Sequence, residues 1–164
     1  TGTVAVFEIF GIVGMLLAGW VTDKFLKGRA HRTCVFCMIG VAVFMSVFLL
    51  LPSGVSPWVM VITLAMAGFF IYGPQALIGI AAANQATNRG AATANGLTGL
   101  FGYASGLVSG VGVGYFVDMI NKVNPEKSWD YVFMGMIGVA IRCTFVFRLM
   151  WQAKADGYGE EENV

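Results

Sequence analysis

Long apolar runs alternate with short polar breaks along the whole chain. Five runs stand out, at about 4–21, 33–51, 58–82, 91–117 and 131–151. Each approaches or exceeds the roughly 20 apolar residues that carry a helix across a hydrocarbon core of about 30 Å. None alternates in-out over segments of about 10 residues, as a membrane barrel strand would. Backbone groups in lipid must be satisfied within their own segment, which makes helices the default. The pattern therefore predicts an all-α membrane protein, a bundle of five transmembrane helices.

The breaks support this parsing. Pro52 and Pro57 bracket a short connection, and Asn124-Pro125 punctuates a later one, as helix stops and starts do. Lysine and arginine are unevenly shared among the loops. Lys24, Lys27, Arg29, Arg32, Arg89, Arg148 and Lys154 fall on one side, against Lys122 and Lys127 on the other. Basic loops mark the cytoplasm, so the first loop, the third loop and the C-terminus are expected there, with residues 152–164 as a cytoplasmic tail. Its acidic stretch, Glu160 to Glu162, reads as a solvated end.

Composition strengthens the membrane reading. The 164 residues are 57% hydrophobic and 12% charged, where soluble domains carry about 25% charged residues. A net charge of +1 supplies no basic patch for nucleic acid. The first run has no basic leader and contains Glu8, so it is not a signal peptide. A chain that begins inside a helix is expected to be a fragment of a longer protein. Cys34 and Cys37 form a C-x-x-C inside an apolar run, with no second ligand pair. They and Cys143 read as small packed or lipid-facing residues rather than a metal or redox site. No cofactor and no covalent chemistry are implied.

Four groups of residues could carry function. The first loop reads Gly19-Trp-Val-Thr-Asp23-Lys-Phe-Leu-Lys27-Gly28-Arg29. This glycine, aspartate and Gly-Arg spacing resembles the loop signature of the major facilitator superfamily. Asp23 could accept from Arg29 or cap a neighbouring helix, and Gly19 could let helices approach. Such a contact would gate one face; the plainer reading is a helix cap followed by topogenic charge. Second, Gly102, Gly106, Gly110 and Gly114 recur every four residues. They place bare backbone on one face for close packing or sliding.

Third, Tyr72, Gln75, Asn84, Asn95, Thr98 and Tyr103 are polar groups of the third and fourth spans and their turn. They serve either as helix–helix hydrogen bonds or as a binding surface. Pro74 follows Gly73 and should bend its helix, a habit of transporters with a midplane site. Fourth, Glu8 and Arg142 are intramembrane charges, costly in lipid and usually turned to a cavity or a partner.

Read together, FEIFGIVGMLLAGWVTDK, IYGPQALIG, GLTGLFGY and GYFVD resemble the organophosphate:phosphate antiporter family of the major facilitator superfamily. The matching words run in family order from Phe7 to about Gly138. The resemblance implies helices eight to twelve of a twelve-helix transporter, the C-terminal six-helix half less its first helix. It implies exchange of glycerol 3-phosphate or a hexose 6-phosphate for inorganic phosphate by alternating access, in a bacterial inner membrane. The main phosphate clamp would be arginines of the first and seventh helices, which this chain does not contain. Tyr72, Tyr103 and Glu8 carry over from family positions. GPQ resembles the hexose-phosphate branch and TGLFGY the glycerol-phosphate branch, while Arg142 departs from the apolar last helix of the family.

The expected substrate site is thus Tyr72, Tyr103, Gln75, Asn95, Thr98 and Glu8, and the gate Asp23, Arg29 and Gly19. The expected partners are organic phosphate, inorganic phosphate, the lipid bilayer and the N-terminal half of the same transporter, with no nucleic acid. The alternative is a transporter-like membrane sensor of hexose phosphate that signals to a histidine kinase. A channel or structural subunit fits less well with the Asp23 loop and the Pro74 helix.

Overall fold

The computed structural model describes residues 2–52, 54–86, 90–123 and 127–151. Arg89, Asn124-Pro125, Lys154 and the acidic tail, read above as loop and tail features, lie outside the described residues. All regular structure among the described residues is helical. The helices are α1 (Gly2–Phe25), α2 (Ala30–Leu50), α3 (Pro57–Gln85), α4 (Ala91–Asn121) and α5 (Ser128–Leu149). All five are long and apolar enough to cross a membrane.

The helices mostly outrun the apolar stretches. α1 continues through Asp23 and Lys24 to Phe25, and α3 through Asn84 to Gln85. Hydropathy stops at the first charge, whereas the ladder of backbone hydrogen bonds continues into the polar zone. α3 opens with Pro57 in its first turn, where the missing amide costs nothing. It also runs through Pro74 without ending. Pro74 is buried, so the neighbouring helices hold a segment that its lost hydrogen bond would otherwise weaken.

α3 is the centre of the bundle. It packs most extensively on α1, then on α2, and also meets α4; α5 leans on α2 and only lightly on α4. Small residues make the close contacts. One buried cluster joins Ala18, Ala30, Cys34, Cys37 and Leu77, and another joins Val41, Met45, Ala67 and Ala140. Lipid is as apolar as leucine, so helices in it associate through close approach and packing, which small residues permit. Cys34 and Cys37 are free and buried in this packing, and Cys143 is free and half-buried.

The tightest crossing is between α1 and α3. A Cβ on Gly14 would overlap the Phe69 carbonyl oxygen, and one on Gly68 would lie 2.7 Å from the Phe7 ring. A Cβ on Gly73 would press on Ala18 and Cys37 at 3.0 and 3.1 Å. The periodic glycines of α4 behave differently. Gly102, Gly106, Gly110 and Gly114 have nothing within 4 Å of the side-chain position, and no residue of α4 is buried. The expectation that this stripe packs tightly is therefore not met by any described helix. The close packing belongs to Gly11, Gly14 and Gly68 instead.

Candidate functional site

Two polar regions are built on this scaffold. The first lies on the exposed edge of the α1–α3 crossing. The Tyr72 hydroxyl donates to Glu8 Oε2 in a short hydrogen bond. The Tyr72 ring lies against Gly11, where a Cβ would come within 2.6 Å of it. Its edge meets Phe7 with centroids 6.1 Å apart. Glycine, phenylalanine and carboxylate, all on α1, thus fix one tyrosine of α3. Glu8 is exposed and Tyr72 half-buried, so the pair stands at an open face. A carboxylate here can only accept, and a phenol can donate or accept.

Tyr72, Gln75 and Gly79 follow at i, i+3 and i+7, on one face of α3. Asn95 Oδ1 of α4 sits 2.9 Å from the Cβ position of Gly79. Thr98, one turn on, spends its hydroxyl on its own helix, donating to the Asn95 carbonyl at 2.8 Å. A short connection makes α4 antiparallel to α3. From Asn95, eight residues at about 1.5 Å each return α4 by about 12 Å, which brings Tyr103 level with Tyr72. Tyr103 is 82% exposed and, among the described residues, makes no ring contact or hydrogen bond. The structure thus joins Tyr72 to Glu8 and seats Asn95 on the same α3 face. Tyr103 shares their level without touching them.

The second region is the end carrying the α1–α2 loop. The amides of Leu26 and Gly28 both return to the Thr22 carbonyl, at 3.2 and 3.0 Å. Lys27 and Gly28 take positive φ, 50° and 75°. A glycine suits the second position because it pays no Cβ penalty. Gly28 of the loop signature is therefore demanded by the turn itself. Thr22 donates to the Ala18 carbonyl at 2.6 Å and shares a 2.6 Å hydrogen bond with Thr33, which pins α1 to α2. A cavity of about 300 Å³ opens beside it, with Gly19, Asp23, His31, Asn84 and Gln85 in its wall.

Two gate expectations change here. Among the described residues Asp23 forms no ion pair with Arg29; it lines the cavity instead. Gly19 has nothing within 4 Å of its Cβ position. It leaves room for the cavity rather than bringing helices together. His31, the only histidine, went unnoticed in the sequence. Its Nε2 lies 3.0 Å from the Trp151 carbonyl oxygen and ties the end of α5 to the start of α2. Arg142, exposed on α5, has no partner among the described residues.

The comparisons agree with this architecture. The family model of the Major Facilitator Superfamily matches residues 2–162. A glycerol-3-phosphate transporter of Bacillus subtilis is 38% identical over 146 residues, covering 88% of this chain and 31% of the relative. A membrane sensor protein, UhpC, of Escherichia coli is 35% identical over 108 residues, 65% of this chain and 24% of the relative. A hexose-6-phosphate:phosphate antiporter of Salmonella typhimurium is 30% identical over 138 residues, 84% of this chain and 29% of the relative. The chain spans less than a third of the length of each of these relatives. Five membrane-length helices and a family match over nearly the whole chain establish a multi-pass membrane protein that belongs to the Major Facilitator Superfamily.

Proposed function

We propose that this chain supplies helices eight to twelve of a twelve-helix antiporter that exchanges an organic phosphate for inorganic phosphate. The observation that carries the reading is the Tyr72–Glu8 pair on an open face of a superfamily fold. Relatives named for glycerol 3-phosphate and for hexose 6-phosphate:phosphate antiport support it.

The chemistry divides between the two groups. A phosphate ester offers acceptor oxygens, and a glycerol or sugar offers hydroxyl donors. Tyr72 can donate to the former, and Glu8 can accept from the latter. With no ligand bound, the two satisfy each other. A substrate would separate them and replace one hydrogen bond with two. Glu8 repels a phosphate, so the phosphate end needs cations from helices outside this chain. Gln75, Asn95, Thr98 and Tyr103 extend the polar wall. The uncovered face of α4, with its glycine stripe, would meet the N-terminal half of the same protein. Alternating access then moves the two halves about the site, with the cavity at Gly19 and Asp23 on the cytoplasmic side.

Competition binding tests the exchange reading. With the complete purified protein, glycerol 3-phosphate or hexose 6-phosphate should displace inorganic phosphate at a single site, and the reverse. Independent, non-competing binding would overturn exchange through one site. The second reading, a hexose-phosphate sensor, rests on the relative named as a membrane sensor. A sensor also binds its ligand but need not carry it across.

A further inference from the structure

At the end of the bundle that carries the α1–α2 loop, α2 and α5 are bridged by rings. Trp151 meets Phe36 edge-on, with centroids 6.3 Å apart. The Arg32 guanidinium stacks over the Trp151 ring at 4.9 Å. Beside this bridge runs a groove of about 610 Å³, walled by Val35 and Phe36 of α2 and by Phe145, Arg148, Leu149 and Trp151. Three of its walls are apolar and largely bare: Phe36 is 58%, Phe145 63% and Leu149 72% exposed.

Among the described residues, the charges at this groove are unbalanced. Arg148 lines it, and Arg32 stands beside it on the tryptophan. Arg32 Nε is buried and has no hydrogen-bond partner among the described residues. Arg148 makes no ion pair there either. The described carboxylate at this end, Asp23, lines the neighbouring cavity and not the groove. Two cations at the head of an apolar slot on a membrane-spanning surface complement a molecule with an anionic head and a hydrocarbon body. The tryptophan under Arg32 has the amphipathic character of an interfacial anchor.

We propose that the α2–α5 groove is a binding site for an anionic phospholipid. The headgroup phosphate is held by Arg32 and Arg148, and an acyl chain lies along Phe36, Phe145 and Leu149. Basic pockets between transmembrane helices hold anionic headgroups by this combination of charge and apolar wall. The groove shares no lining residue with the Tyr72–Glu8 pair and does not depend on the organic-phosphate reading.

The test is lipid retention by the complete protein, measured by native mass spectrometry after delipidation and titration with phosphatidylglycerol or phosphatidylcholine. Phosphatidylglycerol should be retained preferentially. Arg32→Gln with Arg148→Gln should weaken that retention roughly thirtyfold, from the loss of two interfacial cations. Arg32→Lys with Arg148→Lys should keep most of it, which separates lost charge from lost folding. Lys24→Gln with Lys27→Gln, at the same end, should leave it unchanged. Inorganic phosphate should not compete. Equal retention of the two lipids, or equal loss in the lysine variant, would overturn the proposal. So would phosphatidylglycerol binding that appears only after Glu160, Glu161 and Glu162 are removed, because the groove would then belong to the chain's own tail.

Discussion

Tyr72 shows how a residue becomes a candidate site through its surroundings. The sequence marks it as a polar-tipped ring in an apolar span and marks Glu8 as a costly charge in another. Their hydrogen bond joins positions 64 apart, a relation that periodicity and composition do not carry. The Gly11 seat beneath the ring was equally hidden, although three small residues, Gly11, Gly14 and Ala18, do repeat at helical spacing. Tyr72→Phe in the complete protein keeps the ring against Phe7 and removes only the donor. Loss of one hydrogen bond to a charged group is worth about 1.5–3 kcal/mol. Because the free protein also loses its Tyr72–Glu8 bond, only part of this reaches the binding step: organic-phosphate affinity should fall by about threefold, with normal membrane insertion. Tyr103→Phe should weaken it as well. Unchanged affinity in both variants, read by equilibrium binding, would remove the tyrosines from the site. Glu8→Gln keeps an acceptor and adds a donor, so it should favour inorganic phosphate over the organic ester, read as the ratio of their affinities.

At the scale of elements, existence was legible and contact was not. Five apolar runs marked five helices because length against a bilayer is a strong constraint. Which glycines bring helices together depends on which face meets a neighbour. The stripe of α4 is the more regular, yet nothing described lies within 4 Å of its side-chain positions, while the less regular Gly14 holds the α1–α3 crossing. Gly14→Ala should therefore lower the thermal midpoint of the purified protein clearly, since overpacking costs about 1–3 kcal/mol. Gly106→Ala should leave contacts within these five helices intact. A bulkier Gly106→Leu should hinder exchange if α4 moves against the other half, and full exchange would mean that this face meets nothing. The loop signature was legible as a motif but only partly as mechanics. Gly28 serves the turn, and Asp23 turns to a cavity rather than to Arg29.

At the scale of the whole molecule, the uneven lysines and arginines predict that the α1–α2 loop lies in the cytoplasm and the α2–α3 connection on the opposite side. Single cysteines test this in a background free of the native ones. Lys27→Cys should react with an impermeant thiol reagent only in inside-out vesicles, and Gly54→Cys only in right-side-out vesicles. The reverse pattern would invert the topology and place the Asp23 cavity on the wrong side for a cytoplasmic gate. The substrate could not be read to the same depth. Under the proposed reading its cationic partners would lie beyond these five helices, and a hydroxyl and a carboxylate recognise many phosphate esters alike.

The account stands most directly on transport. The complete protein, reconstituted in proteoliposomes loaded with labelled inorganic phosphate, should release the label slowly into buffer. Adding glycerol 3-phosphate or a hexose 6-phosphate outside should accelerate release severalfold, and Tyr72→Phe should need a higher concentration for the same effect. Ligand binding with no accelerated efflux by any organic phosphate would contradict the antiporter and leave the sensor.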